Sequence, residues 1–206
     1  MIIHRHTNFN SAVFYARTTM PQTGMLLETW SNLFGRTLNP RNTDFGSGGS
    51  SGGDGALLAM HGASVTPSSD IGGSIRAPAA FNGLYGIRPT ADRVPKNGMV
   101  TAAPGNLSIK VSCGPNCHSM NDLKMMAKII LNHETIPFEP TAVFAPWRGD
   151  VKFETGKKFA IGMLLTDGVV DPHPPIKRAL LETAEKLRNA GHEGLRTPKF
   201  DILHPY

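Results

Sequence analysis

The sequence predicts an α/β fold, a β-sheet covered by helices, on three observations. Short apolar runs rich in strand formers stand at Ala12–Tyr15 and Phe159–Leu165, longer segments carry apolar residues at helical spacing, and the two kinds alternate along the chain. The 206 residues, 40% hydrophobic and 18% charged, suffice for one sizeable core, so one domain or part of one is expected.

Ala12–Tyr15 reads as a buried strand, stopped by the loop chemistry of Thr18-Thr19-Met20-Pro21. Ser31 to Gly35 and Asn39 to Asn42 are turn chemistry. Ala56 to Met60 reads as the first turns of a helix whose N-terminal N–H groups face Ser50 and Ser51, with Gly62 at its end. Pro78 to Phe81 opens a second helix, proline being comfortable in a first helical turn. Ser119 and Asp122 form a capping-box-like start for a third, with Leu123, Met126, Ala127 and Ile130 on one face; Met120, Met125 and Met126 are read as core or near-core packing. The turn-rich stretch Thr135 to Thr155 leads to Phe159–Leu165, a buried strand. Pro174-Pro175 then start a helix to about Ala190 with Ile176, Leu180, Ala184 and Leu187 facing inward and Gly191 as its stop.

Composition narrows the function classes. A net charge of +5 comes from scattered basic residues, with no run longer than Lys157-Lys158, so a nucleic-acid footprint is not supported. No apolar run approaches the ~18 residues that a spanning helix needs, and Met1-Ile2-Ile3 gives way at once to His4, Arg5 and His6, so neither a membrane partner nor a signal peptide is expected; a cytoplasmic protein is the default. Cys113, Cys117 and His118 can be read as half of a metal site, but a structural zinc wants four ligands in spaced pairs, and two reduced cysteines are the simpler reading. His61, His133, His173 and His192 show no metal-binding spacing. No metal and no organic cofactor is expected.

Chemistry concentrates between Gly46 and Gly86, which hold 11 of the 22 glycines. GSGGSSGG could be a flexible linker, but ALLAM and DIGGSIRAPAAF follow it, which a linker does not require; a phosphate cradle would want lysine and a hydroxyl residue where Asp54 stands. A serine hydroxyl attacks a carbonyl only with a base for its proton and donors for the oxyanion. In Asp70-Ile71-Gly72-Gly73-Ser74 the paired glycines allow a tight turn in which N–H groups from Ile71 to Ser74 converge, which supplies the donors. The base is left open: no histidine sits at a diagnostic spacing, and the glycine-x-serine-x-glycine elbow is absent at Ser74.

GGSSGGDGALLAM, the 24 positions from Ser50 to Ser74, and DIGGSIRAPAAFNGLYGIRPT together resemble the amidase signature family. TTMPQTGMLLET, NLFGRTLNP, CGPNCHS and DGVVDPHPP are similar to its acetamidase-like branch. The resemblance covers residues 12–206 as the central part of one domain, with residues 1–11 as a leader unlike the family. It implies a partial fold with a mixed β-sheet, incomplete and covered by helices. It also implies hydrolysis of a small-molecule carboxamide to a carboxylate and ammonia by a serine, a second serine beside a cis peptide bond, and a lysine. Carried onto this sequence, Ser74 resembles the nucleophile and Ser50 the bridging serine, with Gly49–Ser50 the cis bond and the two hydroxyls about 2.5–3.0 Å apart. Ile71, Gly72, Gly73 and Ser74 resemble the oxyanion hole, and Ser51, Asp70 and Arg76 resemble supporting residues.

Two departures stand out. Ser68 occupies a position where the family has glycine or alanine, and its hydroxymethyl is expected to crowd the loop before Ser74. The family's lysine belongs several tens of residues before the bridging serine, yet the first lysine here is Lys96. The expectation is therefore a chain shortened at both ends and inactive alone, with a non-catalytic remnant, a binding or assembly piece, as the alternative. The oligomeric state is left unassigned.

Overall fold

The computed structural model describes residues 13–102, 104–132, 142–149 and 156–196, with 194–196 by backbone alone. The leader and most of Thr135–Thr155 lie outside these residues. The chain divides into two compact units, Met1–Arg148 and Gly149–Tyr206.

The first unit opens with irregular chain. Val13 and Tyr15 are exposed and no strand forms at 13–15. The expected strand is thus corrected for residues 13–15: no strand pairs with them among the described residues, and the Tyr15 hydroxyl donates to the Gly62 carbonyl. Two small hairpins follow, β1 (Trp30–Ser31) with β2 (Gly35–Arg36) and β3 (Leu38–Asn39) with β4 (Asn42–Gly46), both antiparallel around the expected turns.

Helix α1 (Gly52–Ala59) starts one turn earlier than Ala56, directly after Ser51, and Gly62 closes its end by donating to the Leu57 carbonyl at 2.9 Å. Strand β5 (Val65–Asp70) connects the two serine turns. Helix α2 (Arg76–Asn82) carries Pro78 in its first turn and ends on left-handed Gly83, φ 66°. Strand β6 (Tyr85–Gly86) and strand β7 (Ser112–Cys117) complete an antiparallel sheet in the order β5-β7-β6.

The register of that sheet explains a strand with proline in its middle. Pro67 lies opposite Pro115, between Thr66 opposite Asn116 and Ser68 opposite Gly114. Opposed residues alternate between bonded and non-bonded pairs in an antiparallel ladder. Two prolines can face each other only at a non-bonded pair, where neither missing N–H would have pointed across. Consistent with this, the Pro115 carbonyl turns the other way and accepts from Ile87 N at 3.3 Å.

Every residue of β7 is buried, including Cys113 and Cys117, which form no disulfide. Burial pushes the Cys117 thiol up to about 12, with Asp122 adding to the rise, so it stays protonated. Helix α3 (Met120–Leu131) packs on this sheet through Leu123, Met126, Ala127 and Ile130, and Ser119 caps it by accepting from Asp122 N at 3.1 Å. Met120 and Met125 are exposed, so of the three methionines Met126 alone enters the core; the other two lie off the buried stripe.

In the second unit β8 (Ala160–Met163) pairs in parallel with β9 (Glu193–Arg196), and α4 (Pro174–Asn189) connects them. The strand is shorter than Phe159–Leu165 and alternates exposed with half-buried residues rather than being buried. Leu180, Ala184 and Leu187 are half-buried and line a cleft of about 310 Å³ beside β8, whereas Ile176 is exposed because it sits in the first turn of the helix, short of that cleft. Strands and helices together make the expected partial α/β fold, although each sheet among the described residues is either wholly antiparallel or wholly parallel, not mixed.

Leu58 of α1 is fully buried and Leu33 is 80% exposed. Leu58→Ala is expected to lower unfolding free energy by about 2–5 kcal/mol, and Leu33→Ala by less than about 0.5 kcal/mol, as read by denaturant unfolding. Similar losses for both would mean that α1 is not part of the cooperative core.

Candidate active site

Ser50 and Ser74 sit on the turns at the two ends of the α1–β5 segment, one before α1 and one after β5. Both are buried, as are Ser51 and Asp70. The turns meet through the backbone, Ser51 N donating to the Ser74 carbonyl at 3.3 Å. The Gly49–Ser50 peptide is cis. Among the described residues no hydrogen bond joins the Ser50 and Ser74 hydroxyls, so the main chain, and not the hydroxyl pair, holds the turns together.

The Ser50 turn is fixed from outside by Thr29. Its buried hydroxyl lies 2.9 Å from the Gly48 carbonyl and 3.2 Å from that of Ser50, and accepts from Gly52 N at 3.0 Å. Ser47 reinforces the turn by donating to the Gly52 carbonyl at 2.8 Å and by meeting Asn82 of α2. Gly49 packs so closely on the 26–28 backbone that a Cβ there would lie 2.6 Å from Glu28 N. Sequence reading missed Thr29 and Ser47: they stand within TTMPQTGMLLET and GSGGSSGG, but neither motif shows which backbone groups the hydroxyl meets.

The Ser74 turn is organised by Asp70. Its two carboxylate oxygens accept from Gly73 N at 2.7 Å, Ile75 N at 3.1 Å, Arg76 Nε at 3.0 Å and Arg76 Nη2 at 3.1 Å. Arg88 approaches the same carboxylate at 3.5 Å and donates to the Asp70 carbonyl at 3.2 Å. Burial works to raise the Asp70 pKa, but the bonds from Arg76, Gly73 and Ile75 outweigh it and hold the carboxyl below its ordinary range. Bending the chain back onto Asp70 puts Gly73 at φ 138°, a region closed to most side chains. The Gly73 N–H therefore points to the carboxylate. The N–H groups of Ile71, Gly72 and Ser74 have no partner among the described residues, and Leu27 Cδ2 packs against Gly73, 3.3 Å from where a Cβ would lie.

A cavity of about 220 Å³ opens beside Ser50, lined among others by Ser51, Asp54, Ser68, Lys96 and Cys113. Ser68 does not crowd it. Its hydroxyl donates to Asp54 Oδ2 at 2.6 Å and accepts from Asn116 Nδ2 at 3.3 Å, so the extra group is absorbed into a network that Thr18 completes at 2.5 Å from Asp54 Oδ1. Burial raises the Asp54 pKa, against the lowering effect of the Ser68 and Thr18 bonds. Lys96 Nζ donates to Asp92 Oδ1 at 2.8 Å.

The sequence family described as amidase matches residues 5–201. An amidase of Gibberella zeae is 57% identical over 191 residues, 93% of this chain and 34% of that protein. The acetamidase of Emericella nidulans is 42% identical over 186 residues, 88% of this chain and 34% of the relative. The solved structure of a fatty acid amide hydrolase superposes with a TM-score of 0.90 at 38% identity, covering 94% of this chain and 34% of the other. A bacterial aryl acylamidase gives 0.80 at 27% identity, covering 98% and 40%. The chain thus spans about a third of the length of the curated relatives it matches.

Asp70 sets the pH response of this turn. Its folded pKa is depressed, so its contribution to stability is present above the unfolded value of about 3.9 and is lost as pH falls through the folded value. Asp54, raised, has the opposite sign: its contribution declines as pH climbs from the ordinary carboxylate value through the raised one. Asp70→Asn is expected to cost about 2–4 kcal/mol at pH 7, discounted for the half-exposed Arg76. Unfolding free energies of wild type and variant should converge as pH falls from the ordinary carboxylate value through the depressed folded one. A constant gap between them would show that the carboxylate charge is not what holds the turn.

Proposed function

The chain belongs to the amidase signature family, and from that premise we propose that its two serine turns are the acyl-transfer part of an amide hydrolase. The observation that carries this reading is the joined pair of buried serine turns, one beside a cis peptide bond and the other folded around Asp70 with three N–H groups left to donate. In this reading the Ser74 hydroxyl attacks the carbonyl carbon of a carboxamide as its proton moves to Ser50, whose own hydroxyl proton must pass on to a base. Negative charge then gathers on the former carbonyl oxygen, where Ile71, Gly72 and Ser74 N–H groups can meet it. Gly73 serves the hole through its backbone conformation, and Asp70, Arg76, Ser51 and Gly49 keep the turns in place. Collapse of the tetrahedral adduct breaks the C–N bond, ammonia leaves with a proton, and water repeats the sequence on the acyl-serine to give the carboxylate. The reading calls on no metal or organic cofactor. Relatives named acetamidase and fatty-acid amide hydrolase support an amide as substrate.

The proton relay is incomplete in this stretch. No lysine precedes Lys96, and the Lys96 ammonium donates to Asp92 and to neither serine among the contacts described. The 206-residue chain alone is therefore expected to release ammonia from acetamide at least ~10³-fold more slowly than an intact relative. A rate near that of the relative, abolished by Ser74→Ala, would overturn this and point to a base among the later lysines. A second reading takes this stretch as a binding or assembly piece without turnover. A chain that binds an amide saturably, yet shows no ammonia release that depends on Ser74, would meet that reading.

A further inference from the structure

The dipeptide Asn-Gly occurs twice in the sequence, at Asn82-Gly83 and at Asn97-Gly98, and the fold treats the two copies in opposite ways. Asn-Gly is prone to intramolecular attack, because glycine has no side chain to shield its own backbone nitrogen from the preceding amide carbon. At the first copy that attack is blocked. Asn82 is fully buried, and its Nδ2 donates to the Pro78 carbonyl at 2.8 Å, to Ser47 Oγ at 2.9 Å and to the Ser47 carbonyl at 3.0 Å. Gly83 N donates to the Ala79 carbonyl at the end of α2, so both the group that would leave and the nitrogen that would attack are held. At the second copy both residues are exposed. They form the middle of a turn closed by Met99 N donating to the Lys96 carbonyl at 3.0 Å, with Gly98 at φ 81°. Gly98 N donates to no group among the described residues. The turn also borders the site: Asn97 lines the cavity of about 220 Å³ beside Ser50, together with Lys96, Met99 and Arg17.

We propose that Asn97-Gly98 is a self-modification site that makes one wall of this cavity acidic as the protein ages. Gly98 N gives up its proton and attacks Asn97 Cγ. The new N–Cγ bond closes a succinimide ring, the Cγ–Nδ2 bond breaks, and ammonia leaves with that proton. Water then opens the ring at either carbonyl, and the products are aspartate at 97 or isoaspartate, whose backbone is longer by one methylene. Each product adds a carboxylate to the wall that Lys96 shares and takes one unit off the net charge of +5. Isoaspartate also lengthens the turn that carries Met99, whose sulfur lies 3.9 Å from Cys113 Sγ, so the change extends to a further stretch of the same wall. The inference stands apart from the amide-hydrolase reading, since neither serine takes part in it.

The test is timed incubation of the full chain, native and denatured in parallel, at mildly alkaline pH. Peptide mapping by mass spectrometry with electron-transfer fragmentation then separates aspartate from isoaspartate at each position. In the native chain acid should accumulate at 97 at least ~10-fold faster than at 82, because Asn82 must first give up several buried hydrogen bonds. In the denatured chain the two positions should react at similar rates, which assigns the difference to the fold. Asn97→Gln, whose longer side chain closes a ring far less readily, should remove the early acidic species that ion exchange resolves from the native chain. Equal native rates at 82 and 97, or a native Asn97 that stays an amide while the denatured chain converts it, would overturn the proposal.

Discussion

The turn that presents Ser74 depends on one buried carboxylate. Asp70 ends β5, and its four accepted hydrogen bonds reach forward to Gly73, Ile75 and Arg76. A fully buried carboxylate is costly unless its charge and lone pairs are met. The cheapest way to meet them here is to curl the next six residues back over it. That curl starts α2, turns the Gly73 N–H onto the carboxylate and leaves its neighbours' N–H groups to donate elsewhere. Structure and chemistry at Ser74 therefore have a single cause.

The Ser50 turn is built by a different device, a hydroxyl framework supplied from distant sequence. Thr29 and Ser47 satisfy the carbonyls and N–H groups of a chain segment too glycine-rich to hold its own shape. Thr18, Asp54, Ser68 and Asn116 do the same between the early loop, α1 and the central strand. Because the two turns are locked by independent networks and joined by Ser51 N to the Ser74 carbonyl, either can be perturbed without automatic loss of the other.

Features whose cause is local were legible in the sequence. Ser119 and Asp122 announced α3, Pro174-Pro175 announced α4, and the spaced serine motifs announced the turns. Features that depend on remote partners were not. Strand β5, VTPSSD, has neither apolar alternation nor strand formers in its second half, and it exists because β7 offers a register in which Pro67 faces Pro115. Ala12–Tyr15 has the composition of a strand, yet its described residues are irregular and pair with no strand among the described residues. Ser68 looked like an intrusion because its acceptor, Asp54, lies fourteen positions away and its donor, Asn116, forty-eight. At the site, residue identities were readable, but the commitment of the Gly73 N–H to Asp70 was not, since composition does not say which way a turn's amides point.

Amide hydrogen exchange at adjacent Gly72 and Gly73 tests the Asp70-centred account most directly. The account requires the Gly73 amide, bonded to the buried carboxylate at 2.7 Å, to be strongly protected and the exposed, unbonded Gly72 amide to exchange near the rate of open chain. Ile75 should share the protection of Gly73, and both should lose it together in Asp70→Asn. Equal, fast exchange at Gly72 and Gly73 in the wild-type chain would contradict the account, because the carboxylate would then not be shaping the turn that presents Ser74.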